Sequence, residues 1–310
     1  MQLQHYLKDI GRGKDGARAL SREQAADLLG QILDGQANDL QIGAFCVAMR
    51  IKGETALEMA GFLDAIHLRL PAMPAPECPL IVLPSYNGAR RLPVLTPLLA
   101  LLLARQGLPV LLHGCTTETG RITAAQILER LGYPAATQPT IPLPGEVVHL
   151  HTRTLLPALA DLLDARAAIG LRNPAHSLVK LLNPLGHSTG NNSLVIGSYT
   201  HPEYAVSMAA THATTHSHAL LLRGMEGEPV ADPRRLPALR GLLHGQTVLE
   251  LQGHHGSMAA LPDLPTGLDA CATAAFTQEI LTGQRPIPAS ITTQIQAIVD
   301  LHQRLRTSIV

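Results

Sequence analysis

Residues 71–79 read PAMPAPECP, and four prolines in nine residues admit neither a helix nor a central strand. This linker divides the chain into two stretches with different hydrophobic periods. Before it the pattern is helical only. Ser21 with Gln24 makes a capping box ahead of AADLLGQILDG, and Gly35 is its stop. Asp39 is expected to cap LQIGAFCVAMRIKG, which Gly53 ends. From Thr55 to Arg69, Leu57, Met59, Phe62 and Ile66 fall near one stripe. Three short amphipathic helices make a small domain over residues 1–72 and leave an apolar face for a partner. A two-fold dimer through residues 1–70 is expected, with Leu57, Phe62 and Ile66 in the contact.

After the linker the pattern turns to βα alternation. LIVL (80–83) reads as a buried strand, followed by the loop SYNGARR and an apolar helix from Leu92 to Ala104. LPVLLHG (108–114) is a second strand, CTTETGR a polar loop, and TAAQILERLG (123–132) a helix ending on glycine. Later apolar runs are SLVIGS (193–198), HALLLRG (218–224) and TVLEL (247–251). Two helices follow from Leu268, around GQRPIP. The expected fold class is α/β: a small N-terminal helical domain plus a larger α/β domain over residues 80–310 with a mostly parallel central sheet.

Charge narrows the function. Twenty-four Lys and Arg balance 24 Asp and Glu, so bulk charge does not hold this chain to nucleic acid; a local basic patch remains open. Only Lys8, Lys14, Lys52 and Lys180 are lysines; the other positive charges are arginines. Tryptophan is absent and aromatics are 3%, which argues against a site built on many stacked rings. Cys46, Cys78, Cys115 and Cys271 show neither metal-ligand spacing nor a disulfide framework. MQLQHYLKDIGRGKDG lacks the apolar run of a signal peptide, and the 13-residue run from Leu92 to Ala104 is too short to span a bilayer. A soluble, cytoplasmic protein with no membrane partner is expected.

Several segments together resemble one family. MRIKGET (49–55), HG (113–114) at a strand end, ERLG (129–132) at a helix end, IGLR (169–172) and NP (183–184) sit as they do in anthranilate phosphoribosyltransferase. The resemblance spans nearly the whole chain. It implies a helical domain, completed by about residues 168–190, joined to an α/β domain, and a dimer through the helical domains.

The catalytic motifs depart from that pattern. The family's glycine-rich loop brings backbone N–H groups onto the pyrophosphate of phosphoribosyl pyrophosphate. Here the matching residues are Pro84, Ser85, Tyr86, Asn87 and Gly88. The next polar segment becomes Val94, Leu95, Thr96 and Pro97. The loop after the second strand runs from His113 to Arg121; Arg121 matches the family's lysine, and that loop's Asn and Arg are lost. The family's Asp-Glu magnesium pair becomes Gly227 and Glu228, with Glu226 two residues before. Arg166 matches an arginine that contacts the aromatic substrate.

A scaffold without its phosphate cradle resembles the YbiB-type branch of the family. PSYNGAR (84–90), IGRGK (10–14), YTHPEY (199–204) and RNPAHSLVKL (172–181) are similar to that branch. The resemblance implies a homodimer that binds nucleic acid, single-stranded DNA or RNA, without sequence preference and without a cofactor.

On this reading Arg90 and Arg91 replace phosphate-wrapping backbone with guanidinium groups. No acidic residue lies between Glu77 and Glu118, while Arg90, Arg91 and Arg105 do. Tyr86 either stacks on a base or fills the vacated phosphate pocket; Asn87 lies beside it. GRGKDGAR (11–18), with Arg12, Lys14 and Arg18, is either a phosphate clamp or an ordinary connection. Arg121, Arg166, Arg172 and Lys180 either line the cleft or, for the last three, pack against acids such as Asp161 and Asp164. His212 and His216 have the spacing of two metal ligands on a helix, beside His218, with His254 and His255 further on; no HExxH or cysteine partner accompanies them. The alternative function is a divergent phosphoribosyl- or glycosyltransferase using Glu228, Arg121 and Arg166, and only then would magnesium be held, by Glu226 and Glu228. A pure interaction scaffold is the third reading.

Overall fold

The computed structural model describes residues 2–13, 15–86, 88–115, 118–186, 192–235, 237–253 and 263–309. The N-terminal segment forms α1 (Gln2–Ile10), α2 (Arg22–Leu33), α3 (Asp39–Lys52) and α4 (Ala56–His67). Capping boxes start the last three: Ser21 with Gln24, Asn38 with Gln41, and Thr55 with Glu58. The cap of α3 is thus Asn38 and not Asp39, because Asn38 and Gln41 exchange side-chain-to-amide hydrogen bonds at 3.0 Å. The α3–α4 turn is clasped by the buried carboxylate of Glu58. It accepts from the Leu20 and Thr55 amides at 2.9 Å and from Lys52 Nζ at 2.7 Å. Lys52 and Glu58 are therefore structural.

Beyond the linker follow β1 (Leu80–Pro84), α5 (Thr96–Arg105), β2 (Val110–Gly114), α6 (Ala124–Arg130), β3 (Val147–His151), α7 (Thr152–Leu155), α8 (Pro157–Ile169), α9 (Ala175–Leu181), β4 (Ser193–Tyr199), α10 (Pro202–Thr214) and β5 (Ala219–Met225). Then come β6 (Glu228–Ala231), β7 (Leu239–Leu243), β8 (Gln246–Leu251), α11 (Ala270–Leu281) and α12 (Ala289–Ile309). The sheet order is β3-β2-β1-β4-β5-β7-β8, with β6 folded back on β5. The five strands from β3 to β5 pair in parallel, and β7 and β8 extend them antiparallel.

Strand residues alternate between two cores, as a sheet covered on both faces requires. Leu80, Val82, Leu111 and Val195 pack with the N-terminal helices and with α8 and α9, through Leu28, Phe45, Phe62, Leu159 and Leu178. Ile81, Leu83, Leu112 and Ile196 face α5, α6, α11 and α12. Helix α5 is apolar on every side and is buried from Thr96 to Ala104. It begins at Thr96, later than the apolar run suggests, because Pro97 suits a first helical turn and Pro93 does not continue one. Phe62 and Ile66 are wholly buried in the first core, so they cannot form an intermolecular contact. Among the described residues no helix is long and apolar enough to cross a membrane.

The topology fixes where a ligand can sit. The chain runs β1, β2, β3 to one side, then crosses back to lay β4 on the other side of β1. In such sheets the crevice outside the carboxyl ends of the strands, where the order reverses, is the binding position. That crevice is bordered by the loop after β1, residues 84–91, and by the segment after β4.

Candidate functional site

The described residues of the 84–91 loop are closely packed against their neighbours. A Cβ on Gly114 would lie 2.0 Å from the Ser85 carbonyl oxygen, so the HG motif keeps a glycine to let the loop cross the end of β2. Gly88 has φ +64, and a Cβ there would meet the Ile122 carbonyl oxygen at 2.2 Å. The loop is thereby pinned beside the 118–122 segment.

Two carboxylates then take up the loop's own donors. Glu228 is fully buried; it accepts from the Gly88 amide at 2.9 Å, from Thr96 Oγ1 at 2.8 Å and from the Ser85 hydroxyl. Burial raises its pKa, against the pull of these donors. Glu226, held at φ +51, accepts from the Arg90 amide at 3.0 Å and from the Arg91 amide at 2.7 Å. Both acids expected as magnesium ligands are thus engaged by loop donors, and the described residues contain no cluster of three or more His, Cys, Asp or Glu able to hold a metal. The pair does not fit a magnesium site.

The ammonium of Lys180 lies beside Gly227, the residue matched to the family's aspartate. A Cβ on Gly227 would sit 3.4 Å from Lys180 Nζ. That ammonium donates to the Ser198 carbonyl at 3.1 Å and lies 5.9 Å from the centre of the Tyr86 ring. Burial lowers its pKa to about 8. Tyr86 is 2% exposed, and its ring meets His176 edge-on at 6.2 Å. It therefore fills the space under the loop. A base cannot stack on a ring already covered, so of the two roles expected for Tyr86 the structure gives the filling one. Tyr86, Lys180, His176 and Arg172 line one cavity together with Arg50 of α3 and Tyr204 of α10.

The arginines converge elsewhere in the cleft, on one residue. Glu118 Oε2 lies 2.7 Å from Arg121 Nε and 3.1 Å from Arg90 Nη2. Its Oε1 accepts from Arg166 Nη1 and lies 3.8 Å from Arg172 Nη2. Arg121 also donates to the Gly88 carbonyl at 3.1 Å and Arg90 to the Thr119 carbonyl at 3.2 Å. Four guanidinium groups thus face a single carboxylate. The arginine hydrogen bonds and charges overcome desolvation and lower the Glu118 pKa to about 2. The acids Asp161 and Asp164 pair instead with Arg153, at 2.6 and 2.9 Å, leaving Arg166 and Arg172 to the cleft.

The other expected residues stand apart. Arg91 is exposed beside Arg90, and its guanidinium pairs with no carboxylate among the described residues. Arg12 pairs with Asp9 at the end of α1, at 3.3 Å, and not with the cluster. Lys14 and Asn87 lie outside the described residues, as do His254 and His255. His212 and His216 do not share a helix face: α10 ends at Thr214, and the buried His212 ring bonds the Ser217 hydroxyl through Nδ1 at 2.7 Å. Sequence reasoning missed the centre of the cluster. Its only trace is that Glu118 ends the long stretch free of acids.

Comparison with known proteins agrees with this architecture. The helical bundle domain of the glycosyl transferase family matches residues 4–67. An uncharacterised protein of Escherichia coli K12, YbiB, is 37% identical over 303 residues, covering 95% of this chain and 92% of that one. Anthranilate phosphoribosyltransferase of Methanopyrus kandleri is 28% identical over 227 residues, covering 71% of this chain and 65% of that one. The crystal structure of anthranilate phosphoribosyltransferase from Thermus thermophilus superimposes with a TM-score of 0.72 at 19% identity, over 99% of this chain and 94% of that one. The Saccharomyces cerevisiae enzyme in complex with phosphoribosyl pyrophosphate and magnesium gives 0.71 at 18% identity, over 97% and 88%.

Proposed function

This chain belongs to the anthranilate phosphoribosyltransferase-like family, and from that premise we propose that it keeps the scaffold and replaces phosphoribosyl transfer with binding of nucleic-acid phosphates. One observation carries the reading: the 84–91 loop has exchanged its functional groups. Its backbone amides, the donors a pyrophosphate would need, are turned onto Glu226 and Glu228. Its Arg90 is turned toward the cleft, where it joins Arg121, Arg166 and Arg172. Guanidinium groups bind phosphate oxygens bidentately and do so for any base sequence. Zero net charge is compatible with this because steering depends on local potential, not on the sum over the chain.

The binding species is a homodimer on this reading. Leu40, Val47 and Ile51 recur along α3 and leave an apolar stripe in water; Leu40 is 83% exposed and Ile51 60%. A second copy covers such a stripe and brings two arginine clusters to one polyanion.

The test pairs two assays on the full chain. Incubation with phosphoribosyl pyrophosphate, anthranilate and magnesium is expected to give no product. Titration with two unrelated single-stranded oligonucleotides is expected to give saturable binding of similar affinity. Product formation that is abolished by Glu228→Ala would establish the transferase alternative instead.

A further inference from the structure

Glu118 is the one acid among four arginines, and its place in the cluster matches what a phosphate would occupy. Each carboxylate oxygen faces two guanidinium groups: Arg121 and Arg90 on Oε2, Arg166 and Arg172 on Oε1. A phosphodiester has the same inventory as a carboxylate, two free oxygens sharing one negative charge. The four arginines come from the β1 loop, from the segment before α6, from α8 and from the turn before α9, so no local helix pairing explains their meeting. Arg90 and Arg172 remain about half exposed, at 50% and 44% of their side chains, while only 13% of Glu118 is exposed. The cluster is thus open to a ligand through its arginines. Within the cluster one carboxylate faces four guanidinium groups, so the arginines hold more positive charge than Glu118 alone balances.

We propose that Glu118 is an internal stand-in for phosphate: its carboxylate occupies the arginine site in the free protein, and an incoming phosphate displaces it. The inference rests on the phosphate-binding reading above and adds a regulatory element to it. The free protein then holds its site closed by its own chain, and affinity is reduced by the fraction of molecules in which the site is vacated. A site vacated about one tenth of the time binds about tenfold more weakly than an open one. Displacement also sets selectivity. A carboxylate-bearing ligand gains nothing over Glu118, whereas a phosphate contributes the same oxygens together with the rest of a polyanion. The chemistry recognised is a phosphate oxyanion, from a polynucleotide backbone or from a small phosphate ester.

Glu118→Gln keeps the side-chain shape and removes the charge; Glu118→Asp keeps the charge and retracts it by one methylene. Both are compared with wild type for binding of an oligothymidylate and of inorganic phosphate, the latter followed as a rise in melting temperature. Glu118→Gln is expected to bind the oligonucleotide about tenfold more tightly, and with a salt slope steeper by about 0.7 for each added phosphate contact. Glu118→Asp should fall between. Inorganic phosphate should raise the melting temperature of Glu118→Gln more than that of wild type. If wild type binds oligonucleotide and both variants bind it equally well or more weakly, the stand-in is overturned while the nucleic-acid reading survives. If no form binds oligonucleotide yet Glu118→Gln gains phosphate stabilisation, the stand-in holds and the ligand is a small phosphate ester. If Glu118→Gln does not fold, Glu118→Asp decides by the same criteria.

Discussion

At the scale of single residues, the same acid types do opposite work within one cleft. Glu228 is buried among hydroxyls and an amide and is pushed toward its neutral form. Glu118 is gripped by arginines and is held ionised. If Glu228 is neutral in the fold, Glu228→Gln should cost little stability, whereas Glu228→Ala should cost about 1–3 kcal/mol by stranding the Gly88 amide; urea unfolding of the two variants checks this, and equal losses would contradict it. Tyr86→Ala should lose about 3–5 kcal/mol through the cavity it leaves, and should leave the salt slope of nucleic-acid binding unchanged. Tyr86 also illustrates what sequence reading can reach. The replacement of a glycine by tyrosine is visible in the sequence, but whether the ring points outward or inward depends on Lys180 and His176, residues some ninety positions away. Glu118 is less legible still. Nothing local in CTTETGR announces that Arg90, Arg166 and Arg172 will close on it.

At the scale of elements, the legible parts are those decided by local chemistry. The Ser21–Gln24 box, the Gly53 stop, the apolar α5 and the alternating strands carry their signals within a few residues. β3 and β7 escape because VVHLH contains two histidines and LRGLL an arginine and a glycine, and only pairing in the sheet makes them strands. Periodicity puts the dimer stripe on α4 because it cannot tell which side of a helix its own domain covers; the core takes Phe62 and Ile66, and α3 keeps Leu40, Val47 and Ile51 outside. Sedimentation should therefore give a dimer for wild type and a monomer for Leu40→Lys with Ile51→Lys, and a dimer in both would move the interface elsewhere. The α3–α4 clasp makes a second prediction. Lys52→Ala leaves the buried Glu58 carboxylate without its cation, at a cost of about 3–5 kcal/mol, measurable as a lowered midpoint in urea.

At the scale of the whole molecule, neutral histidines tie the fold to pH. Burial lowers the pKa of His113, His149, His176, His212 and His218 from the ordinary 6.5 to about 4. A lowered folded value means that the unfolded chain binds more protons between those limits. Their stabilising effect is complete above 6.5 and is lost as pH falls toward 4, at about 1.4 kcal/mol per pH unit for each histidine in the steepest range. A flat urea midpoint across that window would refute their burial as neutral groups. The neutral overall charge has a counterpart in this arrangement: the cleft gathers its arginines in a local cluster, so on the proposed reading nucleic-acid binding is short-ranged and strongly screened. The salt dependence of oligonucleotide binding, compared between wild type and the Arg90→Ala, Arg91→Ala double variant, tests that claim most directly. The account predicts a linear fall of log affinity with log salt for two unrelated oligonucleotides alike, and a slope flattened by about 1.4 for each engaged protomer in the double variant. An unchanged slope in that variant, or a strong preference for one sequence, would contradict it.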